Sequence, residues 1–354
     1  MLASTVCAWR AAAFSTCADA TRARVPSLLT LGQLSVAELD ALLQRSAHFK
    51  AAAKRGRAGD VRKSLQDKNI AVMFSKRSTR TRVASETSAT ALGGYPLFLG
   101  PSDIQLGVNE SLYDTARVLS SMVDGIMARV GAHGEIETLA ENSSVPVINA
   151  LSSRFHPTQI LADLLTLLEL EAEPGAPLPP VSSLAGRKVA WVGDANNILN
   201  DMLVSYPRLG MDVSIAAPAG AAYERDPHVW DMMLRGLAAQ PAHLPKGRVD
   251  WAHEPRAAVA DADYIVTDTW VSMGDEGSKV QRLRDFAGFQ VTEELGRDGT
   301  AKADWKFLHC LPRKAEEVDD DVFYGPRSVV FQEAENRKWT IMACFDWLFG
   351  GRAL

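Results

Sequence analysis

The stretch that decides the fold is IAVMFSKRSTRTR, residues 70–82. Its first five residues form a continuous apolar run, which predicts a buried strand, and residues 83–92 can form a helix that stops at the following Gly-Gly pair. Ser78 is a candidate N-cap at the junction, so backbone N–H groups, hydroxyls and guanidinium groups would converge at the positive end of a helix. This chemistry is that of a phosphate site, and the alternative is a solvated basic run.

The bulk composition is that of a globular protein. The chain has 354 residues, of which 47% are hydrophobic and 23% charged, and this length suits two domains better than one core. No apolar run is long enough to cross a bilayer, and the net charge of −5 argues against a protein that neutralises many phosphates of a nucleic acid. We therefore expect neither a membrane nor a nucleic acid among the partners.

The cysteines and the first residues bear on the compartment. Cys7, Cys17, Cys310 and Cys344 have neither the paired spacing of a metal site nor the framework of a secreted disulfide-rich fold, so a reducing compartment is expected. Residues 1–25 are rich in Ala, Ser and Thr, and contain several arginines but only one acid. This composition is typical of a mitochondrial transit peptide, and the alternative is a disordered terminus.

Strand-like and helical segments alternate along the chain, beginning with a capping box at residues 35–38. In the first half, strands are predicted at 70–74, 95–99, 125–128 and 145–148. In the second half, they are predicted at 188–192, 211–217, 264–267, 307–309 and 329–331. Continuous apolar strands that alternate with helices predict an α/β fold with two doubly wound parallel-sheet domains and an interdomain active-site cleft.

The proline-rich segment 174–180 interrupts this alternation as a linker or surface loop. The predicted boundaries are 26–160 for the first domain, which the C-terminal helix 335–350 completes, and 161–334 for the second. Ligands of open α/β sheets bind beyond the carboxyl ends of the strands, so the polar residues there are the first candidates for chemistry.

Two such segments lie in the second half. The turn GDANN, residues 193–197, lacks the three glycines of a dinucleotide-binding turn, which argues against a nucleotide site. Its two amides suit the carboxylate and amine of a small zwitterion, or they serve only to tie the turn. The segment DTWVSMG, residues 268–274, places a carboxylate and a hydroxyl at a strand end; this suits an amine ligand, while an N-cap role for Asp268 is the alternative.

Further candidates are the segments HPTQ (156–159) and HCLPR (309–313), whose His and Cys have structural roles as the alternative. Arg129 follows an apolar strand directly. Arg337 is predicted in the first turns of a helix that begins near Glu333, where a cation opposes the helix dipole, and this favours a functional role. The sequence contains no Ser-His-Asp order and no metal-binding pattern, so we predict neither a catalytic triad nor a metal.

Together these motifs resemble the carbamoyltransferase family. The segments STRTR (78–82) and HPTQ are similar to its carbamoyl-phosphate motifs, and the Asn-Asn turn, DTWVSMG and HCLPR are similar to its ornithine branch. The resemblance extends from about Leu29 to the final helix. It implies transfer of the carbamoyl group of carbamoyl phosphate to the δ-amine of L-ornithine, which gives L-citrulline and phosphate for arginine biosynthesis or a urea cycle, with no cofactor.

The resemblance also implies roles for individual residues. Thr81, Arg129 and His156 would hydrogen-bond the carbonyl oxygen and stabilise the oxyanion, while Gln159 and the backbone carbonyl of Leu311 would hold the carbamoyl amino group. The implied carbamoyl-phosphate contacts are Ser78, Thr79, Arg80, Thr81, Gln105, Arg129, His156, Gln159, Leu311 and Arg337. The implied catalytic residues are Arg129, His156, Asp268 and Cys310, and the implied ornithine contacts are Asn197, Asp268, Ser272 and Met273.

The family further implies a homotrimer in the mitochondrial matrix, in which Gln105 reaches a neighbouring subunit's site, and a loop at 272–274 that closes over ornithine. Two alternatives remain at this level. One is a carbamoyltransferase for another amine, such as putrescine or aspartate, and the other is a phosphate-binding homologue without catalysis.

Overall fold

A computed structural model describes residues 25–57, 59, 61–102, 110–271, 276–351 and 353–354. The strands are β1 (Asn69–Phe74), β2 (Tyr95–Leu99), β3 (Gly125–Arg129), β4 (Val147–Leu151), β5 (Lys188–Val192), β6 (Asp212–Ala216), β7 (Val249–Ala252), β8 (Tyr264–Thr267) and β9 (Lys306–His309). The helices are α1 (Val36–Lys54), α2 (Thr79–Ala91), α3 (Leu112–Ser120), α4 (His133–Asn142), α5 (Pro157–Glu171), α6 (Asn197–Ser205), α7 (Pro227–Ala239), α8 (Pro255–Val259), α9 (Lys279–Asp285), α10 (Glu293–Asp298), α11 (Asp320–Phe323) and α12 (Val330–Leu348).

The strands form two parallel sheets. The first has the order β2-β1-β3-β4 and the second the order β7-β6-β5-β8-β9, and every pairing within them is parallel. The inner strands are buried along nearly their whole length, as strands covered on both faces must be. The predicted pair of doubly wound α/β units is confirmed.

Local sequence explains where two helices begin. Ser35 caps α1 in a capping box, because its side chain accepts from the backbone N–H of Glu38 while the Glu38 side chain accepts from the backbone N–H of Ser35. Ser78 is the N-cap of α2, and its hydroxyl accepts from the backbone N–H of Thr81, as predicted.

Two helices connect the halves of the chain. α5 is buried from Pro157 to Leu168, since it runs beneath elements of both halves. α12 returns from the second half and packs against α5, α2 and α1. The C-terminal helix therefore lies on the first sheet's side, and it begins earlier than the predicted residue 335.

Two strand predictions need correction, and one strand was not predicted. Residues 329–331 are not a strand: Val329 precedes α12 and Phe331 is 63% exposed on that helix, while only Ser328 forms an isolated bridge to β9. β7 was not predicted, because this short edge strand is partly exposed and lacks a continuous apolar run. β4 begins and ends later than the predicted 145–148, after Pro146.

Some predictions fall outside the described residues: the transit peptide except for Val25, Gln105, and the loop residues Ser272 and Met273. Within the described part of the chain, no helix is both long and apolar enough to cross a membrane. The same residues contain no group of three or more His, Cys, Asp or Glu side chains placed to hold a metal ion.

Candidate active site

The predicted site residues lie where the chain order of each sheet reverses. The first sheet reverses between β1 and β3, and the second between β5 and β8. The segment 78–82 follows β1 and Arg129 ends β3, while the segment 193–197 follows β5 and Asp268 follows β8. A reversal of chain order opens a crevice at the carboxyl ends of the strands, so the topology alone places these residues at ligand-binding positions.

The N-terminus of α2 joins the two halves. Ser78 caps the helix, and its hydroxyl donates to the Thr81 hydroxyl at 3.1 Å. Thr79 is the first helical residue and is exposed. Arg80 donates through Nη2 to the backbone carbonyl of Leu311, just beyond β9 in the second sheet. The basic motif therefore faces the other half of the chain and is not a merely solvated run.

Arg337 links α12 to the first turns of α2 and α5. Its Nη2 donates to the Thr81 hydroxyl at 3.1 Å and the Thr158 hydroxyl at 3.2 Å, and its Nη1 donates to Gln159 Oε1 at 2.5 Å. Because α12 begins at Val330, Arg337 lies in its third turn, so the predicted position and the dipole argument were wrong. The packing of α12 across two helix N-termini is what places this cation.

The site contains buried cations with unused hydrogen-bonding capacity. Arg129 is 8% exposed and Arg337 is 3% exposed, and Nε of each has no hydrogen-bond partner in the described part of the chain. Burial, followed by the nearby charge of Arg80, lowers the pKa of both guanidinium groups to about 10. Both groups stay charged at neutral pH, and an anion at this point would offset their desolvation.

His156 is the N-cap residue of α5 and is 5% exposed. Burial, followed by the charges of Arg337, Arg129 and Arg80, holds the pKa of its imidazole well below the usual 6.5. The ring is therefore neutral near pH 7 and has one N–H donor and one acceptor nitrogen. It can donate to a carbonyl oxygen without carrying a charge of its own.

Asp268, in the second half of the chain, accepts hydrogen bonds from two other polar residues of the site. Its Oδ1 accepts from the Cys310 thiol at 2.6 Å and its Oδ2 accepts from Asn196 Nδ2 at 2.8 Å. Burial, followed by the charge of Asp268, raises the pKa of the Cys310 thiol well above its ordinary value. Cys310 is consequently a thiol that donates a hydrogen bond, and the thiolate chemistry of a nucleophile is disfavoured.

Asn196 and Asn197 differ in what they contact. Asn196 caps α6 through Oδ1, which accepts from the backbone N–H of Ile198, so its Nδ2 is fixed toward Asp268. Asn196 was one of the two amides considered for a small zwitterion, but the resemblance implied only Asn197 as an ornithine contact. The predicted ligand residue Asn197 donates through Nδ2 to the backbone carbonyl of Ser152 at 2.7 Å, beyond β4.

Glu317, which was not predicted as a site residue, fixes the HCLPR segment. Its carboxylate is fully buried and lies 3.0 Å from His309 Nε2, and it accepts from the backbone N–H groups of Trp270 and Lys314. These contacts tie the segment after β9 to the segment after β8, which carries Asp268. The sequence contained no signal for this role, because nothing local marks an acid as buried.

Electrostatics place the two sets of residues beside one another. The pKa of Arg129 is lowered by Arg80 in the first half of the chain and raised by Cys310 and Asp268 in the second half. The pKa of Arg337 is likewise lowered by Arg80 and raised by Cys310. The two arginines can therefore hold an anion next to the Asp268 carboxylate, which can accept a hydrogen bond from an amine.

Family models match both halves of the chain. Residues 27–169 match the model "Aspartate/ornithine carbamoyltransferase, carbamoyl-P binding domain", and residues 185–348 match "Aspartate/ornithine carbamoyltransferase, Asp/Orn binding domain". The ornithine carbamoyltransferase, mitochondrial, of Emericella nidulans is 49% identical over 319 residues, which are 90% of this chain and 87% of that relative. The protein of the same name from Schizosaccharomyces pombe is 47% identical over 328 residues, or 92% and 94% of the two chains.

Solved structures agree with this match. The crystal structure of a mitochondrial ornithine carbamoyltransferase from Coccidioides immitis has a TM-score of 0.83 at 44% identity, covering 92% of this chain and 98% of that chain. The ornithine carbamoyltransferase from Pyrococcus furiosus has a TM-score of 0.82 at 39% identity, with the same coverage of 92% and 98%.

Proposed function

We infer the function from the family, because the chain belongs to the aspartate/ornithine carbamoyltransferases. It is an enzyme that transfers the carbamoyl group of carbamoyl phosphate to the δ-amine of L-ornithine and releases L-citrulline and phosphate. The observation that carries this conclusion is the meeting of buried guanidinium groups with the Asp268–Cys310 pair at the crevices of two parallel sheets. Carbamoyl phosphate supplies the anion, and ornithine supplies the amine.

The phosphate of carbamoyl phosphate is held at the N-terminus of α2. Ser78, Thr79, Arg80 and Thr81 offer hydroxyl, guanidinium and backbone N–H donors there, and Arg129 and Arg337 add charge from β3 and α12. Gln105 of a neighbouring subunit adds a further donor. Support comes from the unused Nε groups of both buried arginines, since a phosphate dianion would satisfy them.

The carbamoyl group lies between two acceptor oxygens and three donors. Gln159 Oε1 and the Leu311 carbonyl each accept a hydrogen bond from an arginine, and each keeps a second lone pair for the carbamoyl amino group. Thr81, Arg129 and neutral His156 donate to the carbonyl oxygen. These donors stabilise the oxyanion that forms when the amine attacks.

The δ-amine of ornithine lies against Asp268 and Cys310. The ammonium releases one proton to solvent, and the carboxylate orients the lone pair of the resulting neutral amine toward the carbonyl carbon. The new C–N bond forms, the C–O bond to phosphate breaks as the tetrahedral intermediate collapses, and a phosphate oxygen takes the amine proton. Asn197, Ser272 and Met273 bind the amino-acid end, and the loop at 272–274 excludes water.

The assembly is a homotrimer of subunits with the domains 26–160 and 161–334, α12 completing the first. Support comes from apolar side chains that are exposed in the first half of the chain: Val83, Tyr95, Leu97, Tyr113, Val118 and Met122. The location is the mitochondrial matrix, and it is supported by the word mitochondrial in the names of the fungal relatives.

The test is an amine panel. Purified full chain is incubated with carbamoyl phosphate and, separately, with ornithine, putrescine or aspartate, and the carbamoylated product is quantified. We expect citrulline as the main product. Asp268 accepts a hydrogen bond from the δ-amine, and the contacts proposed for Asn197, Ser272 and Met273 favour a ligand with an amino-acid end. Absence of citrulline at saturating substrates would overturn the proposal, and a faster reaction with putrescine would reassign the acceptor.

A further inference from the structure

Two buried carboxyl groups lie behind Gln159. Asp163 is one turn further along α5 and Glu333 is in the first turns of α12, and each is only 2% exposed. Gln159 Nε2 donates to Asp163 Oδ1 at 2.8 Å and to Glu333 Oε1 at 2.6 Å. Both hydrogens of the amide nitrogen are thereby used, and neither carboxyl group has a role in the reaction described above.

These contacts fix which end of the Gln159 amide faces the carbamoyl group. Arg337 Nη1 lies 2.5 Å from Oε1, and a guanidinium group has only donors, so the atom facing Arg337 must be the oxygen. The carboxyl oxygens on the other side accept, so the atom facing them must be the nitrogen. A flipped amide would lose all three hydrogen bonds at once.

The two carboxyl groups lie next to each other, because both accept from the same amide nitrogen. Burial and the neighbouring Asp163 raise the pKa of Glu333 well above its ordinary value, and burial raises that of Asp163 to about 7. Other charged or titratable groups near the pair are Arg337 on α12, Asp268 and Cys310 beyond β8 and β9, and Tyr206. The raised pKa values favour a protonated carboxyl group in the pair.

Glu333 extends the arrangement to the second sheet. Its Oε2 accepts from the backbone N–H of His309 at 3.0 Å, at the end of β9. His309 Nδ1 in turn accepts from the backbone N–H of Leu311 at 2.9 Å. Leu311 has a φ of 59°, which is unusual for a residue with a side chain, and its carbonyl is the other acceptor proposed for the carbamoyl amino group.

We propose that Asp163 and Glu333 are positioning residues that hold the Gln159 amide oxygen toward the carbamoyl-phosphate site. The site thereby prefers an acyl phosphate whose carbonyl carbon carries an amino group over one whose carbonyl carbon carries a methyl group. A methyl group would leave the Gln159 oxygen without its second partner, and sites built around such an acceptor reject ligands that lack the donor. The inference rests on the proposed contact between Gln159 and the carbamoyl group.

The test compares two stable ligands, phosphonoacetamide and its methyl ketone counterpart acetonylphosphonate, by calorimetric titration of the full chain. The measured quantity is the ratio of their dissociation constants, which reports selection for the amino group and cancels effects on phosphate binding. We expect wild type to prefer the amide, and Asp163→Leu to lower this preference about tenfold because the amide nitrogen loses a partner. Asp163→Asn should keep the preference, because its Oδ1 still accepts from Gln159 Nε2 as the carboxyl oxygen does.

A second variant covers the case in which Asp163→Leu does not fold. Glu333→Gln adds no volume, but its single acceptor oxygen cannot serve both Gln159 Nε2 and the His309 N–H, so the preference should fall here too. Thr166→Val is the matched control, because it removes a hydrogen bond to Asn336 at the same α5–α12 contact without touching Gln159.

The outcomes separate the two proposals. An unchanged ratio in Glu333→Gln overturns the positioning role, and an equal fall in Thr166→Val assigns the effect to general packing and overturns it as well. The proposed function fails by a different result, namely a wild-type chain that forms no citrulline.

Discussion

Asp268→Asn should weaken ornithine binding about ten- to hundredfold and leave carbamoyl-phosphate binding nearly unchanged. The substitution keeps the size of the side chain but removes the negative charge that faces the δ-amine. Asn196 Nδ2 and the Cys310 thiol both donate to this carboxylate, and the phosphate contacts belong to other elements. The two substrates are therefore affected separately.

The magnitude follows from the contacts that change. A hydrogen bond to a charged partner contributes about 1.5–3 kcal/mol net, and tenfold in affinity corresponds to about 1.4 kcal/mol. Asn196 cannot rotate to help, because its Oδ1 is bound to the backbone N–H of Ile198. The new amide nitrogen at position 268 would face either Asn196 Nδ2 or the thiol, so one of the present hydrogen bonds is also lost.

The assay is calorimetric titration with ornithine in the presence of saturating phosphonoacetamide, followed by initial rates of citrulline formation. Asp298→Asn is the matched control, since it makes the same chemical change at an exposed position at the end of α10. Unchanged ornithine affinity in Asp268→Asn, with phosphonoacetamide binding intact, would refute the assignment of Asp268 to the amine.

Three further predictions concern the donor side and its surroundings. Arg80→Ala should raise the dissociation constant of phosphonoacetamide more than tenfold with an unchanged circular dichroism spectrum, and normal affinity would place the phosphate elsewhere. His156→Ala should lower kcat about 10²- to 10³-fold. Because the pKa of His156 is well below 6.5, the plot of wild-type kcat against pH should show no inflection near pH 6.5 that depends on His156. Burial raises the folded-state pKa of Asp163 from 3.8 to about 7, so the folded state holds a proton that the unfolded state releases, and stability falls as pH rises through this range. The free energy of unfolding, measured in urea between pH 4.5 and 7.5, should fall less steeply with pH for Asp163→Asn than for wild type. Equal slopes for the two proteins would contradict this.

The alternation of strands and helices was predictable because buried parallel strands are continuous apolar runs. β1, β5 and β8 have this form, and their positions match the predictions closely. The predicted strand at 329–331 failed because three apolar residues in a row are also compatible with a helix end. There, Val330 faces the core and Phe331 faces solvent, a helical arrangement that a three-residue window cannot reveal.

The site residues were predictable where a motif follows a strand, as for Arg80 and Asp268. Those that depend on contacts between distant segments were not, because local sequence contains no record of its partner. The Gln159–Glu333 contact joins residues 174 positions apart, and Arg337 reaches Thr81 across 256 positions. The burial of Asp163 and Glu317 likewise follows from packing, whereas isolated acids are normally predicted to be exposed.

The pair Arg82 and Glu86 shows a simpler kind of success. Spacing by four residues on one helix is enough to predict such a contact, and Arg82 Nε lies 3.0 Å from Glu86 Oε1 on the exposed face of α2. Local periodicity was sufficient there, because both partners belong to one helix. It also separates Arg82 from the neighbouring Arg80, which faces Leu311.

The central claim is that one cleft holds the phosphate anchor of the first half and the amine acceptor of the second. The most direct measurement is the affinity of a single ligand that spans both, a phosphonoacetyl group joined by an amide bond to the δ-nitrogen of ornithine. Wild type should bind it far more tightly than phosphonoacetamide, and Arg80→Ala and Asp268→Asn should each weaken it at least tenfold. If either variant binds this ligand with wild-type affinity, the two groups do not belong to one site.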